Sequence, residues 1–161
     1  MHSRSLIAGL AFAAGLGACH SNASDTDTTP TPAYKAAASD STATARTVQL
    51  QSENNSGITG SATLTPAGTE TRVTLTLVPP AGAGASGQSH VAHIHTGTCA
   101  APGDVVAPLG TVTATGETFA PLTKTVSLST ATLTDGQHIV AAHATEDPSS
   151  ATVACAQLSS M

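Results

Sequence analysis

The chain has 161 residues, a formal net charge of −5 and only 2% aromatic side chains. From residue 47 to the end it has two basic residues, seven acidic residues and one aromatic ring, that of Phe119. Nucleic-acid binding depends on clustered basic charge and on rings that stack against bases, so this composition excludes that class of function.

Residues 1–18 predict a signal for export. Arg4 supplies a positive start, and the run LIAGLAFAAGLGA after it is too short and too rich in Ala and Gly to span a bilayer. Residues 16–19 (LGAC) resemble a bacterial lipobox, in which cleavage precedes a cysteine that receives the lipid anchor. The resemblance implies lipidation of Cys19 and a place in a bacterial cell envelope, with the folded part on the periplasmic or extracellular side. The alternative is an ordinary signal peptide with an incidental cysteine.

Residues 19–46 predict a flexible tether. The segment is rich in Ser, Thr, Asp, Pro and Ala and has almost no large apolar side chains. It cannot bury enough surface to offset the entropy that is lost on ordering. Residues 47–161 are long enough for one domain that buries roughly two-thirds of its unfolded surface.

The pattern of this domain is typical of β-structure. In ETRVTLTLV, Val73, Leu75 and Leu77 alternate with polar residues, as in a strand with one buried face. Seven further segments follow the same pattern, among them TKTVSLS, residues 123–129. Turn-forming sequences such as ENNSG, PAGTE and TDGQ separate them. No segment sustains a helical period over three turns. Eight short strands predict an all-β fold, an antiparallel barrel or sandwich with an aliphatic core.

The stretch HVAHIHTGTC, residues 90–99, contains three of the seven histidines. On a strand, His93 and His95 would point to one side, while Ala92 and Ile94 point into the core. Two neighbouring imidazoles suit a borderline metal ion such as copper or zinc. Pairs of surface histidines also occur by chance, so this motif alone leaves both interpretations open.

A later strand and two cysteines strengthen the hypothesis of a metal site. In HIVAAHA, Val140 and Ala142 would point inward and His143 outward, so this strand can supply a third imidazole. With Cys19 lipidated, Cys99 and Cys155 are the two thiols that remain in an exported domain. An oxidising compartment makes a disulfide between them the default expectation.

These features together resemble the Cu/Zn superoxide dismutases. Members of that family have an H-x-x-H-x-H strand, a cysteine soon after it, a late strand with a histidine after two apolar residues, and a last strand with Ala-Cys. The chain has these features in the same order between about residues 57 and 158. The segments AHIHTG and VVAPL are also similar to CHRD domains, which lack the cysteine pair. The superoxide dismutase resemblance implies a Greek-key barrel with copper ligands His93, His95 and His143, a bracing, non-ligating His90, and a Cys99–Cys155 disulfide.

The chain departs from the family pattern at the second metal and at the substrate site. Family enzymes hold zinc with a bridging histidine, two further histidines and an aspartate, but here no histidine lies between His95 and His138. We therefore do not expect zinc. Thr152 stands where the family has the arginine that positions superoxide, and only eleven residues separate His143 from Cys155, too few for a charged guiding loop. The acidic domain would repel the superoxide anion.

Three other residues near these motifs have simpler interpretations. His138 lies on the side of its strand opposite His143 and is interpreted as a core or turn histidine. Glu146 and Asp147 follow His143 closely and could accept an imidazole N–H, although solvated loop carboxylates are the more common case.

Three functions agree with the sequence. The first is an exported copper-binding lipoprotein that buffers or delivers copper. The second is a copper-only superoxide dismutase, in which the same three histidines hold copper as it cycles between Cu(II) and Cu(I). The third is a metal-free structural or adhesive module. The expected partners are a copper ion, a lipid anchor and, for the enzyme, superoxide; the sequence leaves the oligomeric state open.

Overall fold

The computed structural model describes residues 44–147 and 149–159. The predicted signal peptide, Cys19 and nearly all of the predicted tether lie outside those residues. The first strand of the described part begins at Arg46, one residue before the predicted start of the domain. Within this part of the chain, no helix is long and apolar enough to cross a membrane.

The fold is all-β, as predicted, with nine antiparallel strands and one short helix among the described residues. Eight strands correspond to the predicted segments, and the additional one, β6, has only two residues, too few to give a periodic signal. The elements are β1 (Arg46–Ser52), β2 (Thr59–Ala67), β3 (Glu70–Val78), β4 (Ser89–Thr98), β5 (Ala101–Thr115), β6 (Thr118–Phe119), β7 (Leu122–Val126), α1 (Thr130–Leu133), β8 (Asp135–His143) and β9 (Thr152–Ser159).

The strands form one curled sheet in the order β6-β5-β4-β8-β9-β1-β2-β3-β7. Strands that are distant in sequence pair at three places, β4 with β8, β9 with β1 and β3 with β7, as expected for Greek-key connections. The sheet curls far enough for β5 to approach β7 near the opposite edge, and it encloses one core.

Alternating side chains build this core from aliphatic residues. Val73, Leu75 and Leu77 of β3 are buried in it, as the alternation predicts. The inward residues of the two histidine-bearing strands, among them Ile94 and Val140, belong to the same cluster. The two strands are therefore anchored through their inner faces, while their outer faces carry His93, His95 and His143.

Turn chemistry sets where several strands end. Gly68 has a φ of 70°, which allows the tight turn between β2 and β3. The sequence predicted a strand that continues to Ser129, but β7 ends at Val126. The Ser129 hydroxyl instead accepts the backbone N–H of Thr132 at 3.1 Å and caps the first turn of α1. This local hydrogen bond is why the strand stops early.

Candidate metal centre

Two neighbouring strands bring three imidazoles together on the outer face of the sheet. His93 and His95 lie on β4, where they are paired with Ala141 and Ile139 of β8. His143 is the last residue of β8. The three side chains form the one His/Cys/Asp/Glu group in the described residues whose ligand atoms could hold a metal ion, all within 4.8 Å of one another. The structure thus brings together the three predicted ligands.

Irregular pairing of the strands shapes this site. The register of β4 against β5 shifts at three points, between Ala92 and His93, between Ile94 and His95, and between His95 and Gly97. The pairing of β8 with β9 shifts next to His143. Extra residues in a strand bend it and re-aim nearby groups, and such bulges are frequent beside functional sites.

The three histidines point away from the core but are buried. His93, His95 and His143 are 7%, 6% and 4% exposed, whereas a strand face outside the core would ordinarily meet water. The start of β5 lies beside His95, and the loop between β8 and β9 lies beside His143. The cluster is therefore an enclosed site and not an exposed histidine patch.

The distances between the rings fit one bound metal ion. The ring centroids are 5.7 Å apart for His93 and His95, 5.5 Å for His93 and His143, and 5.4 Å for His95 and His143. Three imidazoles bound at about 2.0 Å around one ion would have ring centres about 5.4 Å apart. The Nε2 atoms of His95 and His143 are 3.3 Å apart, which matches two nitrogens on a shared ion.

Two main-chain carbonyls determine which nitrogens are free to bind the ion. Nδ1 of His95 lies 3.1 Å from the Gly103 carbonyl oxygen, and Nδ1 of His143 lies 3.0 Å from that of Ser150. A carbonyl only accepts, so each Nδ1 carries its hydrogen and each Nε2 of the neutral ring has a lone pair. Two such nitrogens 3.3 Å apart are held together either by a shared proton or by a cation between them.

His93 supplies the third nitrogen and is itself short of a partner. Its Nδ1 is the one buried side-chain nitrogen or oxygen without a hydrogen-bond partner among the described residues. Such orphaned atoms are rare because desolvation is unfavourable unless the atom finds a partner. Burial lowers the pKa of His93, and the neighbouring His143 and His95 lower it further. The ring is therefore held in its neutral, ligating form.

His90 lies outside this group of ligands. Its Nδ1–H donates to the main-chain carbonyl of His143 at 2.8 Å, and its ring packs edge-on against Phe119 at 5.2 Å. It connects β4 to the end of β8 from the inner side. This position agrees with the expected bracing role.

Cys99 and Cys155 are joined by a disulfide with their Cα atoms 5.8 Å apart. Cys155 of β9 packs with Ile139 and Ala141 in a small cluster, and Cys99 lies against it. His93, Ala141 and Cys155 are aligned across three adjacent strands. The disulfide therefore attaches the β4–β5 turn to the same outer face that carries the metal ligands.

The other titratable candidates take no part in the cluster. The Nδ1 atom of His138 lies 3.0 Å from an Asp135 carboxylate oxygen at the start of β8. Glu146 accepts the Ser89 hydroxyl, and Asp147 accepts both the N–H and the hydroxyl of Ser149. These bonds lower the pKa of Asp147, with a smaller effect from the nearby His143.

Sequence reasoning missed the two groups that orient the ligands. They are the carbonyls of Gly103 and Ser150, and every residue has a carbonyl, so no side-chain pattern identifies them. For Gly103, the residue type itself was a weak indication that two strands approach closely there. A Cβ atom there would collide with the Thr96 hydroxyl oxygen, so the close approach of these strands requires glycine.

Comparison with known proteins finds no matching family model, no matching curated protein and no matching solved structure. The function is therefore inferred from the residues and the geometry of the site.

Proposed function

We propose that the protein is an exported copper-binding lipoprotein that holds one copper ion between His93, His95 and His143. The observation that carries the proposal is the pair of Nε2 atoms 3.3 Å apart, both of which face the shared space as lone-pair donors. The unpartnered Nδ1 of His93 adds a third donor. A buffering or delivery role follows from a site that can hold and release the ion.

The donor set favours copper, in particular Cu(I), over zinc. Imidazoles bind both metals, but zinc sites with three protein ligands complete a tetrahedron with water or substrate. The three rings are at most 7% exposed, and no carboxylate or thiolate belongs to the described cluster. Three neutral imidazoles satisfy Cu(I), which accepts low coordination numbers. Copper would supply one-electron redox chemistry at this site, and the carbonyls of Gly103 and Ser150 would keep two rings oriented.

Copper-only superoxide dismutation is the second candidate. The reaction converts two superoxide anions and two protons into dioxygen and hydrogen peroxide. The H-x-x-H-x-H strand and the late histidine resemble the copper ligands of the Cu/Zn superoxide dismutases, which favours it. The three basic residues of the described part lie on β1, β3 and β7, and none lies on β4 or β8, the strands that carry the three histidines. They are Arg46, Arg72 and Lys124. Buffering or delivery is therefore the first candidate.

A copper titration with matched variants tests the proposal. The full chain is loaded with Cu(I) in competition with a chromogenic chelator, and bound metal is counted by mass spectrometry. The wild-type protein should bind one ion, and His93→Ala/His95→Ala should bind none with measurable affinity. His138→Ala is the control, because it removes a buried histidine outside the cluster. Equal Cu(I) affinity in the double variant, or no binding by the wild type, would refute the site and leave the metal-free module.

The envelope location has its own test. Cys19→Ala should prevent lipidation, so the variant should leave the membrane fraction or stay unprocessed in a bacterial host with lipoprotein export. Unchanged membrane partitioning of Cys19→Ala, with the wild type as reference, would contradict the anchor and leave copper binding untouched.

A further inference from the structure

The loop between β8 and β9 carries the carbonyl that accepts the imidazole N–H of His143. This loop comprises residues 144–151, of which the structure describes all but residue 148. A backbone hydrogen bond from Ala144 N–H to the Ala151 carbonyl, 2.8 Å long, closes its base. Most of the loop is exposed and Ser150 itself is half-buried, so hydrogen bonds within the loop hold the Ser150 carbonyl more than core packing does.

The Ser150 side chain ties the loop together. Its hydroxyl donates to the Asp147 carbonyl at 2.7 Å and accepts the Thr145 N–H at 3.1 Å. The Ser150 N–H also donates to the Asp147 carbonyl, at 3.0 Å. A single side chain thus connects the part of the loop that leaves β8 with the part that returns to β9.

We propose that the Ser150 hydroxyl is a positioning group of the metal centre. By bracing the loop, it holds the Ser150 carbonyl 3.0 Å from Nδ1 of His143 and so directs Nε2 of that ring at the ion. The inference rests on the proposed copper-binding function and names a residue that adjusts the affinity of that site. Ser150 does not touch the ion through its side chain; it acts through its own carbonyl.

The expected change in Cu(I) affinity follows from the loss of the group that orients the ring of His143. Without the hydroxyl, the Ser150 carbonyl is held less firmly against Nδ1, and the neutral ring can move its proton to Nε2, where it blocks metal binding. Groups that orient a ligating histidine typically change metal affinity by 10- to 100-fold. Ser150 is one step further from the ion, so we expect a loss of about tenfold.

Affinity for Cu(I) is the first readout. Ser150→Ala should bind Cu(I) about tenfold more weakly than the wild type, and Ser150→Thr, which keeps the hydroxyl, should restore most of the affinity. Ser149→Ala is the matched control. It removes a hydroxyl from the same loop, but the Ser149 N–H still binds the Asp147 carboxylate at 2.8 Å. Wild-type affinity in Ser150→Ala, or an equal loss in Ser149→Ala, would overturn the proposal.

The tautomer of His143 is the second readout, and copper is not needed for it. Nitrogen chemical shifts of the metal-free protein should show the proton of His143 on Nδ1 in the wild type and partly on Nε2 in Ser150→Ala. An unchanged tautomer in that variant would refute the positioning role. If the wild type fails to bind copper, the proposed function fails, while this measurement still decides whether Ser150 orients the ring.

Discussion

His93 is the histidine of the cluster with an unsatisfied ring nitrogen, because its buried Nδ1 has no hydrogen-bond partner among the described residues. In His95 and His143, by contrast, one ring nitrogen donates to a main-chain carbonyl. Burial lowers the pKa of His93, and the two neighbouring imidazoles of His143 and His95 lower it further. A metal ion would supply the partner that the buried Nδ1 of His93 lacks. The histidine with the unpartnered nitrogen is therefore well placed to be a ligand in the proposed site.

The lowered pKa of His93 makes the stability of the metal-free protein depend on pH. The unfolded chain takes up a proton near the ordinary value of 6.5, and the folded chain does so only at lower pH. The unfolded state thus binds more protons in this window, so the free energy of unfolding should fall as pH drops below about 6.5. Urea unfolding between pH 5 and pH 8 measures this, and His93→Gln should flatten the dependence. Parallel curves for wild type and variant would contradict it.

At the scale of elements, the outer face of β4, β8 and β9 carries both the metal ligands and the disulfide, and the start of β5 covers His95. The β4–β5 hairpin is responsible for this cover. Gly97 has a φ of 94°, and a Cβ atom on it would lie 2.6 Å from the Ala101 carbonyl oxygen. The strands therefore approach closely enough for the Gly103 carbonyl to reach the ring of His95.

Replacing Gly103 should weaken copper binding through the hairpin. In Gly103→Ala the new Cβ atom meets the Thr96 hydroxyl and lies 3.2 Å from the Thr96 carbonyl oxygen, so we expect the strand to shift and carry the Gly103 carbonyl away from His95. We expect Cu(I) affinity to fall by about tenfold, and Thr96→Ala in the same protein should recover part of it. Gly68→Ala is the control: its positive φ makes it destabilising by about 1 kcal/mol, but it has open space around it and lies far from the site along the chain. A copper affinity unaffected by Gly103→Ala would contradict this account.

Removing the disulfide should lower stability markedly. Cys99 and Cys155 are 56 residues apart in sequence, and the chain-entropy model gives about 4 kcal/mol for closing a loop of that size. That is a large part of the 5–15 kcal/mol that is typical of a domain. Urea unfolding of Cys99→Ala/Cys155→Ala against the wild type measures the loss. Reactive thiols at these positions in the folded, oxidised protein would show that the bond does not form.

On the scale of the whole molecule, the distribution of charge bears on what the proposed copper site could do. The domain from residue 47 onward has two basic and seven acidic residues, and its two cations are on β3 and β7, away from the histidine strands. Such a distribution repels an anionic substrate and does not disfavour a copper cation. The field of the molecule thus supports metal binding more strongly than rapid superoxide turnover.

Superoxide dismutation by the copper-loaded protein should accordingly be slow. Thr152, which is paired with His143, has no charge to hold the anion, so Thr152→Arg should raise the rate. Added salt should raise the wild-type rate by screening the repulsion. Thr123→Arg places the same charge on β7 and should raise the rate less, which separates the local effect from net charge. A fast wild-type rate that falls with salt, measured by pulse radiolysis, would show that the site attracts superoxide.

The fold could be predicted largely from the alternation of apolar and polar residues along the strands. Val73, Leu75 and Leu77 marked a half-buried strand, and the structure buries all three. Two details escaped the prediction, the two-residue β6 and the early end of β7. Each depends on a few local hydrogen bonds, such as the Ser129 cap, and such bonds carry little periodic signal.

The sequence by itself indicated the three histidines of the candidate site: residue type and strand alternation place His93, His95 and His143 on one face, opposite the aliphatic core. Only the tertiary structure decided that these rings are buried, that their ligand atoms lie within 4.8 Å of one another, and that carbonyls of Gly103 and Ser150 fix the tautomers of His95 and His143. The physical reason is that those features depend on strand bulges and on a loop that bring main-chain atoms to the rings. A main-chain carbonyl is chemically the same in every residue, so only its place in the fold makes it part of the site.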